Sequence, residues 1–267
     1  MILDAWRLAV GTLTALPVRP PASVDRRTAR GAMLLAPVAV LPLGVAVWLV
    51  GWLFQRFDAG SPATGVAAIA VVVLGTRAFH LDGLADTADG LASSYDRERS
   101  LAVMKSGTSG PAGVAAVVLV LLLQVLAAGQ LLELPHGPVV AGAAVCLSRT
   151  ALWLTCAAGV PGARADGLGT PFVGSVPRPV AVAMPVVVVV VVVVLARWLG
   201  GSVGRGALTA VLAVIAVGLL VLRARRRFGG VTGDVYGAAI EVCLAIVLAG
   251  LAGGLNTVYV GSYVRLG

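Results

Sequence analysis

Seven stretches of this chain contain little besides Ala, Val, Leu, Ile and Gly: residues 32–54, 63–79, 112–132, 138–159, 180–196, 207–222 and 238–258. Each is at or near the ~17–25 residues that a helix needs to cross roughly 30 Å of hydrocarbon. Hydrophobic residues make up 59% of the 267 and charged ones 12%, too apolar a balance for an ordinary soluble domain. A closed β-barrel also pairs every backbone group in lipid, but it needs segments of about ten residues alternating apolar and polar. These runs do not alternate. The nine valines from Val186 to Val194 favour a strand in water, whereas in lipid the helix is the form that satisfies its own backbone. The expected fold is therefore all-α. It is a polytopic membrane bundle forming one domain over 1–267, with about seven transmembrane helices and 207–222 the weakest of them.

The formal net charge of +8 is explained by where the basic residues fall. With the N-terminus inside and seven spans, the inner segments hold Arg7, Arg19, Arg26, Arg27, Arg30, Arg77, Arg97, Arg99, Lys105, Arg164, Arg178, Arg223, Arg225, Arg226 and Arg227. The outer segments hold Arg56, Arg197, Arg205 and Arg265, and Arg149 falls within a run. This is a strong positive-inside bias. The excess is topological and implies no nucleic-acid partner.

At the N-terminus, Asp4 stands where the basic region of a secretory signal belongs, and no cleavage site follows. Ile2, Leu3, Trp6, Val10 and Leu13 recur at helical spacing, which predicts an interfacial helix over 1–16 before the break at Pro17, Pro20 and Pro21. Cys146, Cys156 and Cys243 all lie in apolar runs without a paired spacing, so they read as small core residues. The inner polar stretches, 77–111, 160–179 and 223–237, are long, and the outer ones, 55–62, 133–137 and 197–206, are short. Polar chemistry is expected on the inner side.

One inner stretch, "HLDGLADTADGL" at 80–91, carries three of the chain's twelve acidic residues. At 100° per residue, Asp82, Asp86 and Asp89 share one helical face within an arc of roughly 60°. Such carboxylates repel at a low-dielectric boundary unless a cation lies between them, and all-oxygen ligation suits Mg²⁺ or Mn²⁺. The bland alternative is a solvated loop in which Asp82-Gly83 and Asp89-Gly90 are turn dipeptides. Against it, Leu81, Leu84, Ala85, Ala88 and Leu91 flank them at helical spacing. His80 falls on the opposite side, as a boundary residue or a phosphate-binding group.

"RAFHLDGLADTADGL" resembles the signature of the cobalamin synthase family, the adenosylcobinamide-GDP ribazoletransferases. "LTALPVRPP", "SYDRERSLAVMKSGTSGPAG", "LSRTALWL", "ARADGLG" and "FGGVTGDVYGAAIE" follow the family's pattern in order across nearly the whole chain. There is one departure: where the family shows Asp-Ser-Arg, Ser106, Gly107 and Thr108 follow Lys105. The glycines there, with Pro111 opening the next helix and Lys105 beside it, form either a phosphate cradle or a flexible connector.

The resemblance implies transfer between adenosylcobinamide-GDP and α-ribazole or its 5′-phosphate, with release of GMP, in a bacterial-type inner membrane with the active-site loops facing the cytoplasm. It implies Asp82, Asp86 and Asp89 as Mg²⁺ ligands, one of them alternatively the base. Asp166 and Asp234 are candidates for the base or a second metal site. Gly230 and Thr232 belong to a glycine-rich segment able to approach phosphate. Arg164 and Arg149 are the cation candidates, and Arg149 has pairing with Glu241 as its alternative. Two rival readings stay open: a CDP-alcohol phosphotransferase, whose signature runs from Asp-Gly to Ala-Arg, and a cation-coupled transporter, which places its carboxylates near the bilayer midplane.

Overall fold

The computed structural model describes residues 2–57, 60–93 and 95–253. Its regular structure is helical: α1 (Ile2–Leu13), α2 (Arg26–Ala39), α3 (Leu41–Arg56), α4 (Ser61–Gly75), α5 (Phe79–Ser93), α6 (Arg97–Lys105), α7 (Pro111–Leu132), α8 (Gly137–Ser148), α9 (Ala151–Thr155), α10 (Arg178–Trp198), α11 (Val203–Phe228) and α12 (Gly233–Ala252). Among the described residues, six helical stretches are long and apolar enough to cross a membrane: α2–α3, α7, α8–α9, α10, α11 and α12. A seventh results if the bent pair α4 and α5 is counted as one. This is a polytopic membrane bundle.

Local chemistry sets the helix ends. Asp25 caps α2 by accepting from the Thr28 N–H at 2.7 Å, and Asp96 caps α6 by accepting from Arg99 N–H at 2.8 Å. Pro111 occupies the first turn of α7, where its missing N–H costs nothing. Gly229 ends α11 with φ +78°, a left-handed cap that glycine adopts without strain.

One expected span is stronger than the sequence reading has it, and two elements differ from that reading. The run 207–222, the weakest candidate, is the core of the longest helix, the 26-residue α11, because Arg223 to Arg227 extend the helix past the apolar stretch. The run 63–79 does not form one helix. It stops at Gly75, so α4 alone reaches only about 22 Å. Arg77 and Ala78 then take left-handed φ of +56° each, and α5 leaves at 88° to α4. Two adjacent non-glycine residues in that region persist only where their surroundings dictate it. Here Ala78 N–H donates to Val73 O at 2.8 Å, and Arg77 Nη2 to Gly11 O at 3.2 Å. Finally, α1 ends at Leu13, and its Val10 and Leu13 are buried in the apolar core, while Ile2 and Leu3 remain exposed. The run 238–258 is helical to Ala252, and its last five residues lie outside the described ones.

α12 is the axis of the bundle, packed by α5, α7, α8, α9 and α11. α4 runs antiparallel to α7: Gly129, late in α7, abuts Ser61 at the start of α4. The end of α4 therefore returns to the end of the bundle where α1 lies, with Ala15 N–H donating to Gly75 O at 2.7 Å. The three long polar stretches meet at that end.

Candidate active site at the polar end of the bundle

The aspartate stretch is helical as expected, and glycines decide where it sits. A Cβ on Gly83 would lie 2.7 Å from Asp234 O, and one on Gly237 would lie 2.9 Å from His80 O. Neither position has room for a side chain, so the backbones of α5 and α12 touch. That crossing brings Asp82 and Asp86, from residues 79–93, beside Asp234, about 150 positions later. Asp82 is exposed and Asp86 half-buried. Asp86 feels the negative charges of Asp82, Asp234 and Asp89, with Arg164 as the opposing positive charge.

The third aspartate is placed differently. Asp89 is buried, and its two oxygens accept from the N–H groups of Gly110 at 2.6 Å and Gly113 at 2.8 Å. It caps the first turn of α7 from a neighbouring helix, satisfying donors that have no intrahelical partner. Asp89 thus serves α7 through one acceptor site on each of its oxygens. The α7 N-terminus, offered as a phosphate cradle, already holds a carboxylate. Among the described residues, no three His, Cys, Asp or Glu side chains close on one point in the manner of a metal cage.

The second wall comes from 160–179. Ala163 N–H donates to Val231 O at 2.9 Å and Val231 N–H to Pro161 O at 2.9 Å, tying this loop to the turn before α12. Gly230 is buried there, where a Cβ would meet Gly162 and Ala163 backbone. It is a packing glycine that lets the two strands of backbone touch, and it does not line the cleft. Thr232 caps α12 and donates its hydroxyl to Asp234 Oδ2 at 3.1 Å. Between loop and helix lies a cleft of about 130 Å³ lined by Phe79, Arg164, Asp166, Thr170, Thr232 and Asp234, among others. Arg164 donates Nη2 to Leu101 O at 2.9 Å, while its buried Nε has no hydrogen-bond partner. A fixed guanidinium with a spare donor is suited to an anion.

Lys105 and Asp166 are brought together at 2.9 Å, both largely exposed. The Lys105 ammonium holds the Asp166 carboxyl below its ordinary value, first through the hydrogen bond and then through charge. Asp166 is thus held as a carboxylate by a lysine.

His80 and Arg149 stand apart. His80 is buried on the α12 side of α5, its Nδ1 3.8 Å from Glu241 Oε1. Arg149 is 0% exposed, donates Nη1 to Val145 O and Ser148 Oγ at 2.8 Å each, and does not line the cleft. Its Nε and Nη2 have no hydrogen-bond partner, and the Glu241 charge acts on it without a direct ion pair. Sequence reasoning missed Thr170 and Phe79 in the cleft, and Gly83 and Gly237 at the crossing. The glycines left a visible trace in "DGLAD" and "VYGAA", but nothing in either stretch says which backbone it meets.

Residues 5–252 match the family described as Cobalamin-5-phosphate synthase. The chain belongs to that family. A Nocardioides sp. protein named adenosylcobinamide-GDP ribazoletransferase is 53% identical over 245 residues, covering 92% of this chain and 96% of its own. Proteins of the same name from Frankia casuarinae and Pseudomonas entomophila are 40% and 38% identical, each covering 94% of this chain and 95% and 99% of their own. No solved structure matches. Membership of the cobalamin-5-phosphate synthase family decides among the readings that the sequence left open, and neither the CDP-alcohol enzyme nor the transporter is retained.

Proposed function

We propose that this protein joins α-ribazole, or its 5′-phosphate, to adenosylcobinamide-GDP at the cleft between α5, α12 and the 160–179 loop. The observation that carries this reading is the convergence of Asp82, Asp86, Arg164 and Asp234, from three separate segments, at one end of a membrane bundle. A ribose hydroxyl attacks the cobinamide-linked phosphorus. The new P–O bond forms as the diphosphate bridge breaks, and GMP leaves with the bridging oxygen. Such a reaction is limited by charge on the phosphoryl and leaving oxygens, so fixed positive charge supplies most of the rate.

The donor set fits Mg²⁺. That ion is typically bound by one or two carboxylates with substrate phosphates and water completing its shell, so a three-carboxylate cage is not required. Asp82 and Asp86 would hold it, and when bound it neutralises phosphoryl oxygens as a Lewis acid. Arg164, which lines the cleft, offers its guanidinium charge to a phosphoryl oxygen. Asp234, lining the cleft, takes the proton of the attacking hydroxyl, while Thr232 orients it. The positive-inside bias supports a cytoplasmic orientation for this end, in a bacterial-type inner membrane, where nucleotide substrates are available. The test is GMP release by the protein in lipid with adenosylcobinamide-GDP and α-ribazole. Cobalamin formed with GMP, and lost with EDTA, is expected; no product with either acceptor overturns the assignment.

A further inference from the structure

The buried polar groups beneath the aspartate helix form a second constellation, outside the cleft. Glu241 lies eight residues into α12, about 12 Å along the helix from its start. It is 3% exposed, and a carboxylate at that depth is expensive unless it has a task. Gln124 of α7 donates Nε2 to Glu241 Oε2 at 2.8 Å and to its backbone O at 3.2 Å. His80 of α5 faces the other carboxylate oxygen at 3.8 Å, with Nδ1 otherwise unpartnered. Arg149, at the junction of α8 and α9, has Nε and Nη2 without hydrogen-bond partners, and Glu241 supplies its largest attractive charge.

One carboxylate thus addresses α5, α7 and the α8–α9 junction. Its amide equivalent would satisfy Gln124 equally well, so the charge is needed elsewhere. Arg149 accounts for part of that need, because a buried guanidinium without a counter-charge is strongly destabilising. His80 is the remaining neighbour, with its Nδ1 3.8 Å from the other carboxylate oxygen. α5 does not inherit its placement from α4, since the left-handed pair Arg77 and Ala78 breaks the helix immediately before it. Its first turn must be located by tertiary contact, and His80, its backbone on Gly237 and its ring facing Glu241, joins Gly83 on Asp234 in supplying that contact.

We infer that Glu241 is a positioning residue that anchors the first turn of the aspartate helix through His80, with Gln124 orienting its carboxylate and Arg149 balancing its charge. This rests on the reading that Asp82 and Asp86 serve the transfer reaction. The test uses the full chain in lipid nanodiscs, comparing wild type with Glu241→Gln and with Arg149→Met/Glu241→Met. It reads kcat and KM for adenosylcobinamide-GDP, thermal unfolding, and deuterium uptake at 79–93 against 203–228.

Both variants should lose roughly 10- to 100-fold in kcat, the scale of a small misplacement of reacting groups. KM should stay within about twofold, because ground-state binding is not what is removed. Uptake should rise at 79–93 and not at 203–228. The double variant, which leaves neither buried charge without its counter-charge, should unfold near the wild-type temperature, yet keep the kcat deficit. Wild-type kcat in that stable double variant, or unchanged uptake at 79–93, overturns the inference and leaves a charge pair that serves folding alone. If Glu241→Gln does not accumulate, the double variant carries the same comparison. If wild type shows no transfer at all, the proposed function fails, while deuterium uptake at 79–93 still decides whether Glu241 anchors α5.

Discussion

α10 and α12 are both uninterrupted apolar helices of about the same length, yet they have opposite positions in the molecule. Of the membrane-length stretch of α12, 78% is buried inside the protein, against 28% for α10. α10 presents Val182, Val186, Val190 and Val194 outward, and its contacts are mainly with α11. α12 carries Gly237, where α5 approaches, and Gly250, where Thr209 of α11 packs. In lipid an apolar surface gains nothing by leaving its surroundings, so helices associate by close packing and polar contact, and small residues permit both. Nine valines in a row have neither small gaps nor polar groups, so only Val188 and Val192 are buried while Val186, Val190 and Val194 face outward. A helix with glycines, Asp234 and Glu241 becomes the axis.

The largest break in this contrast should come from the carboxylates at the end of α12's partner. Asp86→Asn is expected to lower transfer on the order of a hundredfold or more, the scale seen when groups that hold a metal are altered. Thermal unfolding of the variant in lipid should be unchanged or improved, because a repelling charge is removed; activity near wild type would separate Asp86 from the chemistry. Gly237→Ala should come next. The added methyl meets the His80 backbone, so we expect a stability loss of roughly 1–3 kcal/mol for overpacking, with activity falling more than stability explains. An unfolding temperature and kcat both equal to wild type would mean that α5 and α12 have slack at the crossing.

A milder effect is expected from Lys105→Ala. Its partner Asp166 is exposed, so solvent screens the pair and thermal unfolding should not move. Only a severalfold change in KM for the nucleotide substrate is anticipated, read from initial rates. The smallest effect belongs to α10: Val190→Leu, at a side chain 55% exposed to the bilayer, should leave kcat, KM and unfolding temperature unaltered. A loss there would show that the valine face is packed against something, and the contrast with α12 would weaken.

Which features could be read in advance follows the range of the forces involved. Asp82, Asp86 and Asp89 lie within eight positions, so the helical period alone puts them on one face. The three polar stretches were recognisable because charge and glycine stand out against an apolar chain. The division of labour among the aspartates was not recognisable. Asp89 differs from Asp86 only in meeting Gly110 and Gly113, whose N–H groups belong to another helix. Arg149 was ambiguous for the same reason. An intramembrane arginine calls for a partner, but its periodicity does not say whether that partner is a ligand or Glu241.

By itself, then, the sequence determined the solvent this protein folds in, its all-helical form, its multiple crossings and the end at which its polar groups gather. These follow from hydropathy, backbone hydrogen bonding and charge placement, all of which act within a segment. Tertiary structure alone decided that the run 63–79 breaks at Arg77 and Ala78, that α11 is the longest helix, and that α12 is the centre. It also decided that Asp82 and Asp86 meet Asp234 while Asp89 is spent on α7. Those outcomes depend on which backbones can touch, and contact at Gly83 and Gly237 exists only once two distant helices have been brought together.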